Sequence, residues 1–137
     1  MSERSFLDTN VLVYTDDRDS PEKQRAALAL VARHRKAGTG VVSTQVLQEY
    51  FVAVTRKLGV ATEIARRKIQ LFAHLHLVEI GLDDILGAVD LHRLHGFSLW
   101  DALIVRAAHE AGCKVLLTED LQSNRRIGNL EVRNPFS

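Results

Sequence analysis

Short apolar runs alternate with longer segments of helical spacing along this chain, and that alternation limits the fold more than any other feature. The runs are Ser5-Phe6-Leu7, Thr39-Gly40-Val41-Val42, Leu77-Val78-Glu79-Ile80 and Lys114-Val115-Leu116-Leu117. Unbroken apolar runs of this length are the pattern of strands buried on both faces. Between them, apolar residues recur every three or four positions. Examples are Val46, Leu47, Tyr50, Phe51, Val54 and Leu58, and then Trp100, Leu103, Ile104, Ala107 and Ala111. Both sets predict helices with a core-facing stripe, and Trp100 is counted on that stripe. The alternation predicts an α/β fold, a three-layer sandwich with a central, mainly parallel sheet flanked by helices. The tail through Leu130-Glu131-Val132 is expected as an edge strand.

Helix starts and stops agree with this frame. Thr9 to Tyr14 reads as an apolar turn or short helix. Ser20-Pro21-Glu22 reads as an N-cap, a proline at the first helical position and an acid in the first turn. That helix ends in Arg33-His34-Arg35-Lys36, cations that favour the helix dipole, and stops at Gly38. Ser43 or Thr44 opens the next helix, which runs to Gly59. Thr62 opens another, with a polar stripe of Glu63, Arg66, Arg67, Gln70 and His74. Its opposite face, Ile64, Phe72 and Leu75, is expected to cover the core and is the candidate for a contact between copies. Asp83-Asp84 begins a helix closed by Gly96, and Ser98 begins the one that follows.

Residues 1–137 show no linker, repeat or low-complexity segment, so a single domain is expected. A net charge of +1 gives no global basic signature, so any grip on nucleic acid must come from local patches. The one cysteine, Cys113, excludes an internal disulfide. The longest apolar stretch, Ala26 to Ala32, is far too short to span a bilayer, and Met1-Ser2-Glu3-Arg4 lacks a secretory pattern. A soluble protein of the cytoplasm with no membrane partner is the expectation.

Four carboxylates stand where a strand pattern ends or a helix pattern begins: Asp8, Glu49, Asp101 and Asp120. In an open α/β sheet, ligands bind outside the carboxyl ends of the strands. Each acid has a plainer use. Asp8 suits a helix cap, Ser98-x-x-Asp101 is a capping box, Asp120 suits a turn, and Glu49 suits a solvated helix face. Four such acids at one end of a sheet would repel one another and call for counter-charge. Oxygen-only ligation matches Mg²⁺ or Mn²⁺. Asn10 adds a neutral polar group beside Asp8.

Phe6-Leu7-Asp8-Thr9-Asn10-Val11-Leu12, Gln45 to Tyr50 around Glu49, Leu99-Trp100-Asp101-Ala102-Leu103-Ile104 and Leu116-Leu117-Thr118-Glu119-Asp120-Leu121 together resemble the PIN domain. More narrowly they resemble the VapC-type toxins of toxin–antitoxin pairs. The resemblance extends through Asn134-Pro135-Phe136. It implies a metal-dependent endoribonuclease whose acidic quartet is Asp8, Glu49, Asp101 and Asp120, with Thr118 as a hydroxyl beside the last acid. It further implies an RNA substrate, a cognate antitoxin protein and a homodimer.

The residues suit that chemistry on their own terms. Divalent ions held by carboxylates neutralise a scissile phosphate and lower the pKa of a bound water. Phosphate contacts are expected from Arg56-Lys57, Arg66-Arg67-Lys68 and Arg125-Arg126, which also read as ordinary solvated cations. Trp100 could stack a base, against its reading as core. His74-x-His76 and His92-x-x-His95 lack a third ligand and read as surface or satisfied histidines. Two rivals remain open. One is a phosphatase similar to the haloacid dehalogenases, with Asp8 as nucleophile, although Asn10 stands where that class has a second Asp. The other is a catalytically inactive PIN-fold binding module.

Overall fold

A computed structural model describes residues 3–137. The elements in chain order are β1 (Ser5–Leu7), α1 (Thr9–Tyr14), α2 (Pro21–Ala37), β2 (Gly40–Ser43), α3 (Thr44–Lys57), α4 (Thr62–Phe72), β3 (His76–Val78), α5 (Leu82–His95), α6 (Leu99–Glu110), β4 (Val115–Leu117), β5 (Arg126–Ile127) and β6 (Leu130–Arg133). They form a six-stranded sheet in the order β3-β2-β1-β4-β6-β5, parallel except for β5, and helices flank it. This is the expected α/β layering.

The core is built from the residues the apolar runs supply. Phe6 and Leu7 of β1, Val41 and Val42 of β2 and Leu116 of β4 are fully buried, as are Val46, Tyr50 and Val54 on the inner face of α3. Pro21 opens α2 and His34, Arg35 and Lys36 fill its last turn. Gly38 then stops the helix at φ 70°, a left-handed conformation in which glycine has no Cβ to strain. Ser43 caps α3 through Oγ, which accepts the Val46 N–H. No helix is long and apolar enough to cross a membrane among the described residues.

Four expectations need correction. The strand at Leu130 is not at the edge: β6 pairs in parallel with β4, and the edge belongs to β5. β5 has only two residues and no apolar run to announce it. The Gly128-Asn129 loop that joins it to β6, with Gly128 at φ 62°, is the hairpin signal that was there to read. β3 begins at His76 and ends at Val78, rather than running from Leu77 to Ile80. Ile64 is 56% exposed while Phe72 and Leu75 are buried, so the three do not form one face. Ala65, seven residues before Phe72, takes the inward position, and one residue rotates a helix by about 100°.

Trp100 is the fourth. It is 62% exposed, although Leu103, Ile104 and Ala107 on the same stripe are buried. Helical Cα–Cβ bonds lean toward the N-terminus, so a long side chain in the first turn of α6 reaches past the end of the core.

Candidate active site

Asp8 follows the last residue of β1 and caps α1. It is 7% exposed, and both its oxygens are engaged. Oδ1 accepts the Thr9 N–H at 2.7 Å and Oδ2 accepts the Thr118 hydroxyl at 2.7 Å. The capping role is real, but it does not explain the electrostatics. Burial pushes the Asp8 carboxyl up to about 6; the Thr118 and Thr9 hydrogen bonds oppose that, and the charges of Asp120 and Glu49 add to it.

The other acids are drawn in by polar bridges. Glu49 Oε1 accepts the Thr9 hydroxyl at 2.7 Å, so adjacent residues of one chain segment hold two of the quartet. Asn10 Nδ2 donates to Asp120 Oδ2 and to Thr118 Oγ1, both at 3.1 Å. The Thr118 oxygen also accepts the Asp120 N–H at 3.1 Å. Thr118 is fully buried and ties Asp8, Asn10 and Asp120 together. The carboxyl ends of β1 and β4 lie side by side in parallel register, which is why residues 110 apart in sequence meet here.

Asp101 stands apart. Its N–H donates to Ser98 Oγ at 3.1 Å, the forward half of a capping box, while its half-buried carboxylate has no hydrogen bond or ion pair among the described residues. Its link to the other acids is indirect. Gln45 Nε2 donates to the Trp100 carbonyl at 3.1 Å and reaches toward Glu49 Oε2 at 3.5 Å. Gln45 Oε1 is buried without a partner among the described residues. Three acids are thus brought together and the fourth flanks them.

An open cleft of about 440 Å³ lies over this cluster, with Glu49, Asp120, Glu119 and Asp17 on its walls and Lys57 at its side. Among the described residues, no three Asp, Glu, His or Cys side chains stand close enough to hold a metal ion between them. The donor set is nonetheless all oxygen, and two carboxylates with water satisfy Mg²⁺.

The expected cations divide. Lys57 faces the cleft, and Arg56 lies beside Glu49 on the outer surface of α3. Lys68 is committed elsewhere, to Asp16 at 2.9 Å and the Thr15 hydroxyl at 2.8 Å. Arg66 and Arg67 are exposed on α4 and do not line the cleft. Arg125 packs its guanidinium 4.7 Å from the centre of the Phe97 ring, and Arg126 is exposed on β5. Sequence reasoning missed Thr9 and Gln45. Both had a signal: Thr9 adjoins Asp8, and Gln45 lies one helical turn before Glu49. It also missed Tyr14, which donates to Glu119, and Lys23, which pairs with Glu119 at 3.0 Å.

Against this geometry the comparisons fall in one direction. The family model of the PIN domain matches residues 5–128. No curated protein matches the sequence. Among solved structures, a toxin–antitoxin complex from Klebsiella pneumoniae is similar with TM-score 0.68 and 19% identity, covering 96% of this chain and 98% of that one. VapBC2 from Rickettsia felis, bound to a DNA fragment from its promoter, gives TM-score 0.67 and 21% identity, covering 95% and 97%. VapC20 from Mycobacterium tuberculosis, described as a sarcin-ricin loop cleaving toxin, gives TM-score 0.64 and 19% identity, covering 82% and 86%. At such identities the likeness speaks for the fold.

Proposed function

The chain belongs to the PIN-domain family, and we propose that it is a metal-dependent endoribonuclease, the toxin of a toxin–antitoxin pair. The observation that carries this reading is the convergence of Asp8, Glu49 and Asp120 on the Thr9, Asn10 and Thr118 bridges at the carboxyl edge of the sheet. A carboxyl pushed up to about 6 by burial and by two neighbouring carboxylates is a group that a cation relieves.

The residues fit Mg²⁺ or Mn²⁺. Two of the carboxylates Asp8, Asp120 and Glu49 would supply hard oxygen donors, with water as the further ligands such ions accept. When bound, the ion supplies charge neutralisation at the phosphate and a water of lowered pKa. The chain's own residues then have separate tasks. Thr118 and the Thr9 N–H fix both oxygens of Asp8, so the carboxylate cannot turn away. Asn10 holds Oδ2 of Asp120, whose other oxygen has no hydrogen bond among the described residues. The unpartnered carboxylate of Asp101 is available to the ion or to the proton of the attacking water. Lys57 meets the phosphate backbone.

A phosphatase reading fares worse. Both oxygens of Asp8 are held by donors, and Asn10 spends its amide on Thr118 and Asp120 rather than offering an acid. An inactive binding module is answered by assay. The purified protein is expected to cleave RNA with Mg²⁺ or Mn²⁺ and to stop with a chelator; metal binding without turnover on any RNA favours the inactive module.

Two further readings rest on the toxin assignment. The solved complexes named for toxin and antitoxin support an antitoxin as the protein partner. Expression without it is expected to arrest growth, and Asp8→Asn at equal level is not. The candidate self-contact moves from the Ile64 face to α5. There Leu82, Ile85, Leu86 and Val89 form an exposed apolar stripe, at 70%, 41%, 54% and 39%, on a helix that carries none of the four acids. Leu86→Glu is expected to convert a sedimenting dimer into a monomer, and a monomeric wild type at micromolar concentration removes the homodimer.

A further inference from the structure

We propose that the Trp100 indole is a stacking platform for one nucleobase of a single-stranded RNA whose backbone crosses the acidic cleft. The inference rests on the ribonuclease reading and adds to it how the substrate is seated. Trp100 is 62% exposed, a large apolar surface left in water. Among residues 97–104 it is the one exposed large apolar side chain: Phe97 before the helix and Leu103 and Ile104 on α6 are buried, and Ser98 and Asp101 are polar. A protein interface is built from a contiguous apolar patch, like the stripe on α5. A single exposed aromatic ring fits a single planar partner, and every nucleobase has such a face.

Its position is set relative to the acids. Trp100 immediately precedes Asp101, and its carbonyl accepts from Gln45 Nε2, whose amide also reaches toward Glu49. Gln45 is buried, so this brace is held by the core of α3 rather than by a mobile surface chain. Two cations are candidates for the RNA phosphates: Arg125, which rests on the Phe97 ring three residues before Trp100, and Lys57, which lies on the cleft wall with Glu49. A strand gripped through phosphates by these cations presents a base to the ring while its backbone meets the carboxylates. Single-stranded nucleic acid is commonly held by this combination.

Trp100 is the sole tryptophan, so its emission reports this contact without a label. The test uses a short single-stranded oligoribonucleotide that the wild type cleaves, together with copies made abasic at one position at a time. Wild-type emission is expected to be quenched by the intact strand and to recover with one particular abasic position. Trp100→Ala is expected to raise KM about tenfold, the size of one lost base stack, with kcat little changed. Trp100→Phe should restore most of that. Cleavage with unchanged KM in Trp100→Ala and no quenching overturns the platform while leaving the nuclease intact. Emission that shifts with protein concentration alone assigns the ring to a contact between copies and overturns it too. Failure to bind or cleave any RNA removes the ribonuclease reading and the platform with it.

Discussion

Thr118 donates its hydroxyl proton to Oδ2 of Asp8 at 2.7 Å, joining the ends of β4 and β1 across 110 residues of sequence. The hydroxyl is fully buried and the carboxylate nearly so. This bond keeps a charge in place that burial and two neighbouring acids oppose.

The first consequence is a pH dependence of unusual sign. The Asp8 carboxyl sits at about 6 in the folded chain, above its ordinary 3.8, so folding favours the protonated form. Its contribution to stability is full below about pH 4 and is lost as pH rises through about 6. A gap of about two units corresponds to about 3 kcal/mol. With a chelator present, Asp8→Asn should therefore unfold at a higher temperature than wild type at pH 8, and the advantage should fade toward pH 4. Thermal melts of both proteins across that range check it. Added Mg²⁺ or Mn²⁺ should reverse the order at pH 8, because the wild type alone gains from binding.

Thr118→Val keeps the shape of the side chain and removes the hydroxyl. Asp8 loses a donor, and the Asp120 N–H and the Asn10 amide lose an acceptor. The variant is expected to lose about 1–3 kcal/mol of stability at neutral pH, the range for a buried polar group left unmatched. Calorimetric titration should also show weaker binding of Mn²⁺, since Asp8 must shed its proton to bind. Wild-type affinity in Thr118→Val would mean that the Asp8 bond does not matter to the metal.

Asp101→Asn separates a helix cap from a functional acid. Ser98, not Asp101, supplies the cap hydrogen bond, and the Asp101 carboxylate has no partner among the described residues. Stability should change by less than about 1 kcal/mol, the size of one lost charge–dipole interaction in a first helical turn. RNA cleavage should fall by orders of magnitude. Four acids at one end of the sheet were expected to repel one another. The structure places that repulsion on Asp8, where Asp120 and Glu49 act, so the metal-free gain in melting temperature belongs to Asp8→Asn.

The parallel frame and the acids at its carboxyl edge were readable in the chain because the strands are unbroken apolar runs and the helices carry clear stops such as Gly38 and Gly96. What was not readable depended on position along an element rather than on its pattern. Trp100 obeys the helical spacing of α6, yet the core ends before its turn does. Ile64 was placed inward by a face drawn one residue out of phase with Ala65. The edge strand β5 is too short to carry any periodicity. In the site, the acids were legible singly, while the bridges that join three of them, through Thr9, Asn10 and Thr118, required the register of β1 with β4. The commitment of Lys68 to Asp16 was equally invisible, since nothing in the sequence sets a paired cation apart from a free one.

The most direct measurement is RNA cleavage by the purified chain in Mg²⁺ or Mn²⁺, with a chelator added and then overcome by excess metal, run beside Asp8→Asn. The expected result is cleavage that the chelator abolishes, that excess metal restores, and that Asp8→Asn lacks while remaining folded. Undiminished cleavage in excess chelator, or equal cleavage by Asp8→Asn, would contradict a metal-dependent site built around Asp8.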